Sequence, residues 1–128
     1  MNETKVTQKY LESARERIES AQVFQNAGQY NDPMTRVDYA FFDAATAALL
    51  HKDITAKTHH GLRILFEKHF IETGQITMGV GRWLARAQRA REEADYEIYK
   101  KFNKEEVGAG IQAAKEFVGE IEKIIKSS

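Results

Sequence analysis

Two helical faces in this chain of 128 residues carry charges where apolar side chains are expected. Leu84, Ala87, Arg91, Ala94 and Ile98 follow a three-four spacing that places them on one side of a helix. Asp95 joins that face one turn beyond Arg91, and Phe102 closes it. Arg36, Ala40, Asp43, Ala47 and Leu50 repeat the pattern on a second helix. A buried, unpaired guanidinium or carboxylate is strongly unfavourable, so these four charges must be partnered or must border a crevice. One simple arrangement that neutralises all of them is cross-helix pairing, Arg36 with Asp95 and Asp43 with Arg91. Such pairs can fix helix register alone, or they can present guanidinium groups to an anionic ligand.

Further residues extend the second option. Arg82, Arg86 and Arg89 make a short basic ridge suited to phosphate contact, although Glu92 and Glu93 follow at once, as on a solvated face. Trp83, Tyr96 and Tyr99 can stack on bases, or can serve as core or interface aromatics. His51, His59, His60 and His69 lack the i, i+4 spacing of a helical zinc site, so neither a metal nor another cofactor is expected. His59 and His60 fall in the first turn of a helix beside Thr58 and Gly61, where an anion could bind. Gly79 and Gly81 do not follow a strand and make no phosphate loop.

The totals narrow the classes. One domain over residues 1–128 is expected, large enough to bury a core. With no Cys there is neither a disulfide framework nor a thiolate site, which fits a reducing cytoplasm. No long apolar run reads as a membrane span, and the first residues lack the apolar region of a signal peptide. Nineteen basic residues balance nineteen acidic ones, so nucleic-acid binding would have to come from a local patch.

The elements that position these residues read as five helices in an all-α, up-and-down antiparallel bundle. The first runs from about Thr4 to Ala27, with Tyr10, Ala14, Arg17, Ala21 and Phe24 along one side and Gly28 as its stop. Asp32 is placed as the N-cap of the second, with Pro33 at its first position, and the helix continues to about Lys52. Its alanines, among them Ala44, Ala45 and Ala48, allow a neighbour to approach closely. Thr58 caps a third that reaches Thr73-Gly74, and the fourth spans roughly Thr77 to Phe102. Asn103 and Glu106 form a capping box before a fifth helix with the stripe Val107, Ile111, Ala114, Val118, Ile121 and Ile125.

Four blocks, in order, resemble the HEPN (higher eukaryotes and prokaryotes nucleotide-binding) family in its small stand-alone prokaryotic branch. Tyr10-Leu11 and Ala14-Arg15 open the first helix as in that branch. The segment from Thr35-Arg36-Val37-Asp38-Tyr39-Ala40 to Phe41-Phe42-Asp43-Ala44-Ala45 is similar to its Ser-Arg-x-Tyr-Tyr-Ala-x-Phe-His-Ala-Ala segment. Thr58-His59-His60-Gly61-Leu62, with Phe66 and Phe70, looks like its Thr-His-x-Gly block. Arg91-Glu92-Glu93-Ala94-Asp95-Tyr96 matches its Arg-x-x-Ala-Asp-Tyr signature.

The resemblance implies a bundle of four to five helices and a homodimer with a cleft at its interface. It also implies association with a minimal nucleotidyltransferase, as in toxin–antitoxin-like pairs. Many members are metal-independent ribonucleases in which an Arg is followed, after four to six intervening residues, by a His. Here Arg91 is present, but Tyr96, Glu97 and Ile98 occupy the positions for that His, and no His lies downstream of Arg91. Asp43 stands where the branch usually has a His, and Asp38 where it has a Tyr. A Tyr, with an ordinary pKa of about 10, is a poor general base at neutral pH.

The expectation is therefore a non-catalytic HEPN-like module that dimerises and acts with a nucleotidyltransferase. Arg36, Asp43, Arg82, Arg86, Arg91, Asp95 and Tyr96 are its candidate nucleotide- or RNA-binding residues. One alternative is a ribonuclease with an atypical site drawn from Arg91, Asp95 and Tyr96; the other is a purely structural helical scaffold.

Overall fold

A computed structural model of the chain describes residues 2–77, 79–86, 89 and 102–127. The described residues form helices and no strand: α1 (Asn2–Asn26), α2 (Asn31–His51), α3 (His59–Phe66), α4 (residues 79–86) and α5 (Lys104–Lys126). The protein is thus an all-α bundle. Arg17 meets Asp43 while Phe24 meets Arg36, so α1 and α2 run antiparallel. Arg15 meets Glu122 and Gln25 meets the Lys104 carbonyl, which makes α1 and α5 antiparallel as well.

The helix ends follow local chemistry. α1 stops at Gly28, whose φ of 82° lets Gln29 N–H reach back to the Phe24 carbonyl at 2.9 Å and Gly28 N–H to Gln25 at 2.9 Å. α2 ends in the same way with Asp53 at φ 61°, a left-handed position that Asp tolerates. α2 does not begin as expected. Its N-cap is Tyr30, which makes no side-chain cap, and Asn31 is already helical. Asp32 is drawn away from capping by Arg36, 3.0 Å distant, and the Asn31 side chain accepts from Phe102 N–H at 3.1 Å. Pro33 still falls within the first turn, where no backbone donor is needed.

Thr58 caps α3 by accepting from Gly61 N–H at 2.9 Å, and a Cβ on Gly61 would stand 3.0 Å from that hydroxyl oxygen. Beyond Phe66 the helix widens over Glu67–Ile71, where Glu72 N–H bonds the Glu67 carbonyl five residues back. That widening leaves the His69 carbonyl to side chains, Lys52 Nζ at 3.0 Å and Thr73 Oγ1 at 2.9 Å. The capping box of α5 forms in full, with Glu106 N–H donating to Asn103 Oδ1 and Asn103 N–H to Glu106 Oε1. Most of the expected fourth helix, including its signature, lies outside the described residues. Phe102, placed there as its last residue, is non-helical and buried.

The core joins three helices through aromatic rings. Phe117 of α5 lies 4.9 Å from Phe41 of α2 and 5.2 Å from Phe66 of α3, with Phe70 stacked on Phe66 at 5.0 Å. The expected stripe of α5 faces this core, with Ile125 at its edge. The stripe of α1 is rotated from expectation. Thr7, Leu11, Ala14, Ile18 and Ala21 are buried, whereas Tyr10, Arg17 and Phe24 flank the face, half-buried. The small and aliphatic side chains take the face against the alanine surface of α2, and the three larger groups are displaced to its rim.

Candidate nucleic-acid interface on the outer seam of α1 and α2

Position and chemistry combine around Asp43. Its side chain is only 8% exposed, so its charge requires compensation. Two donors from α1 meet the same oxygen, Oδ2: Ser13 Oγ at 2.7 Å and Arg17 Nε at 2.8 Å. The Arg17 guanidinium also lies 4.9 Å from the centroid of the Tyr39 ring, one turn before Asp43. Further along the seam the arrangement recurs. Arg36 Nε binds Asp32 at 3.0 Å, and its guanidinium lies 4.6 Å from the Phe24 ring of α1.

Each arginine is therefore held twice, through Nε by a carboxylate and by a ring of the opposite helix beneath its guanidinium carbon. The terminal nitrogens of Arg17 and Arg36 make no hydrogen bond among the described residues. Both side chains are about a third exposed, so these nitrogens form two oriented donor forks at the surface of the seam.

The candidates from sequence divide between two regions. Arg36 and Asp43 share the α1–α2 seam. Arg91, Asp95 and Tyr96 lie outside the described residues, and with them the far sides of the Arg36–Asp95 and Asp43–Arg91 pairings. Within the described residues, Arg36 turns to Asp32 and Asp43 to Arg17. Arg82 and Arg86 are exposed on α4, where Arg86 lies 4.9 Å from the Trp83 ring and Arg82 borders a groove with Glu67, Lys68 and Glu72. That groove carries both signs of charge.

Among the described residues no three His, Asp or Glu side chains gather as metal ligands, and no helix is long and apolar enough to cross a membrane. His59 stacks on Phe42 with ring centroids 4.0 Å apart. Ser13, Arg17 and Tyr39 were not assigned to the site from sequence. The signal for Arg17 was present, since it interrupts the apolar line of α1 as Arg36 and Arg91 interrupt theirs.

Comparison with known proteins bears on the fold and the family. The solved structure of TT1696 from Thermus thermophilus shares the architecture, with a TM-score of 0.76 at 16% identity, covering 91% of this chain and 96% of that one. A UPF0332 protein of Thermotoga maritima is 29% identical over 98% of this chain and 96% of its own length. The Methanocaldococcus jannaschii protein named "Putative toxin MJ0605" is 33% identical over 93% of this chain and 88% of its own length. The HEPN domain profile matches residues 7–124, nearly the whole chain, and the protein belongs to the HEPN domain family.

Proposed function

We propose that this protein is a HEPN module of a toxin–antitoxin-like pair, which dimerises and acts with a small nucleotidyltransferase rather than cleaving RNA itself. The relatives named as toxins support the pairing, and the sequence supports the loss of catalysis. One observation carries the second point: Arg91 has no His downstream, so the general base of the usual Arg/His pair is missing. The residues that remain bind and orient. Arg36 and Asp43 on the seam, Arg91, Asp95 and Tyr96 beyond it, and Arg82 and Arg86 on α4 are the proposed contacts to nucleotide or RNA.

Co-expression with a minimal nucleotidyltransferase, followed by size-exclusion chromatography with and without ATP, tests the pairing. A co-eluting complex is expected, and separate elution under both conditions would overturn it. A single-stranded RNA cleavage assay tests the remainder. Cleavage by the wild-type protein that Arg91→Ala abolishes without unfolding would make it a ribonuclease with an atypical site.

A further inference from the structure

We propose that Arg17 and Arg36 form a two-guanidinium clamp along the outer α1–α2 seam, which grips successive phosphodiesters of a single-stranded nucleic acid. The clamp rests on the nucleic-acid reading given above, and adds to it a residue of α1 and a ligand spacing.

Three features of the seam support it. Both guanidinium groups are fixed before any ligand arrives, each by one Nε–carboxylate bond and one aromatic ring. Such fixing lowers the ordering cost of binding, and it leaves the terminal N–H groups of two side chains that are about a third exposed as the planar fork that matches a phosphate edge. The two groups also lie on one side of the hairpin. Ser13, Arg17 and Phe24 on α1 face Asp43, Tyr39 and Arg36 on α2, whereas Arg15 and Gln25 of α1, and Met34 and Val37 of α2, turn toward α5.

Their spacing sets the ligand. At about 1.5 Å of rise per residue, the three-residue step from Arg36 to Tyr39, which meets Arg17, and the seven-residue step from Arg17 to Phe24, which meets Arg36, offset the two arginine positions by roughly 5–10 Å along the seam. That exceeds the separation of phosphoryl groups sharing one bridging oxygen, as in a nucleoside diphosphate, and suits neighbouring phosphodiesters of an extended strand. Asp32 and Asp43 cancel much of the long-range field, so the contact works by short hydrogen bonds. Its dependence on salt is accordingly shallow. Two phosphates on a single strand give a log–log slope of about −1.4.

The test is fluorescence anisotropy with a fluorescein-labelled octauridylate, titrated with wild type, Arg17→Lys, Arg36→Ala and Lys115→Ala, and with ATP as competitor. Lys115 lies on α5, where it borders Arg15 and Glu19 on the α1–α5 side of the bundle, and its variant serves as the control. Arg36→Ala and Arg17→Lys should each weaken binding by roughly three- to tenfold, and Arg36→Ala should lower the salt slope by about 0.7. Lys115→Ala should bind as wild type does. Arg36 is partly exposed and paired within its own helix, so its variant folds even if changes at Arg17 do not. Octamer binding that is unchanged in both arginine variants would overturn the clamp and leave the nucleic-acid reading standing. Failure of the wild type to bind the octamer would overturn both. Displacement by equimolar ATP would show a single-nucleotide site and overturn the spacing argument.

Discussion

Asp43 is held in its buried position by two donors that share one oxygen, and removing the carboxylate would leave both without an acceptor. Ser13 would keep a hydroxyl that water can reach, while Arg17 would keep a charge resting on Tyr39 with its Nε unbonded. Breaking a fully buried pair costs about 3–5 kcal/mol. Arg17 is 38% exposed, which reduces the expected loss for Asp43→Ala to about 1–3 kcal/mol in urea denaturation. Asp43→Asn should lose less, because its carbonyl oxygen still accepts from Ser13. A change in Asp43→Ala no larger than about 0.5 kcal/mol, the ordinary surface range, would show that the cluster contributes no stability. The sequence places Asp43 on an inward face and pairs it with Arg91, which lies outside the described residues, whereas the partner seen is Arg17 of α1. An intrahelical pattern gives the azimuth of a charge and leaves open which neighbouring helix turns toward it.

The elements were legible where a local rule acted alone. Gly28, Thr58 and the Asn103–Glu106 box end or begin helices through contacts within a few residues, and each stands where the pattern put it. Rules in competition were less readable. Asp32 has the type of an N-cap, yet the ion pair with Arg36 and the Asn31 bond to Phe102 move the start of α2 upstream. Gly81 carries no motif, and its role depends on an approach by the segment after α3 that no local pattern shows. A Cβ there would fall within the Ile71 side chain, overlapping Cδ1 and standing 3.0 Å from Cγ1. The atom it meets is the free end of a half-buried side chain that can turn aside, so Gly81→Ala should forfeit most of the roughly 1 kcal/mol by which Ala is the better helix former, and destabilise by about 1 kcal/mol at most. Ile71→Val removes Cδ1, the atom that clashes, so the double variant should recover part of the loss. An unfolding midpoint for Gly81→Ala raised by the full helix-propensity gain of about 1 kcal/mol would disprove the close approach.

At the scale of the whole molecule, the all-α architecture was the most readable property, because helical periodicity and short connections leave few alternatives to a bundle. What remained hidden was the point at which the bundle is tied together. Phe41, Phe66 and Phe117 come from three helices, and no spacing along the chain relates them. The Phe41 and Phe66 rings lie 4.9 Å and 5.2 Å from Phe117, so this one side chain couples α2, α3 and α5. Phe117→Ala should cost about 3–5 kcal/mol, a large share of the roughly 5–15 kcal/mol of a typical domain. If Phe117 links the helices into one cooperative unit, loss of its ring should do more than lower the midpoint. Far-UV circular dichroism and tryptophan fluorescence should then separate. Trp83 on α4 packs against the same core and reports on its tertiary order, whereas dichroism reports the helices themselves. Coincident transitions for the variant, with its midpoint near that of wild type, would mean that the antiparallel α1–α2 and α1–α5 contacts hold the bundle without this aromatic node.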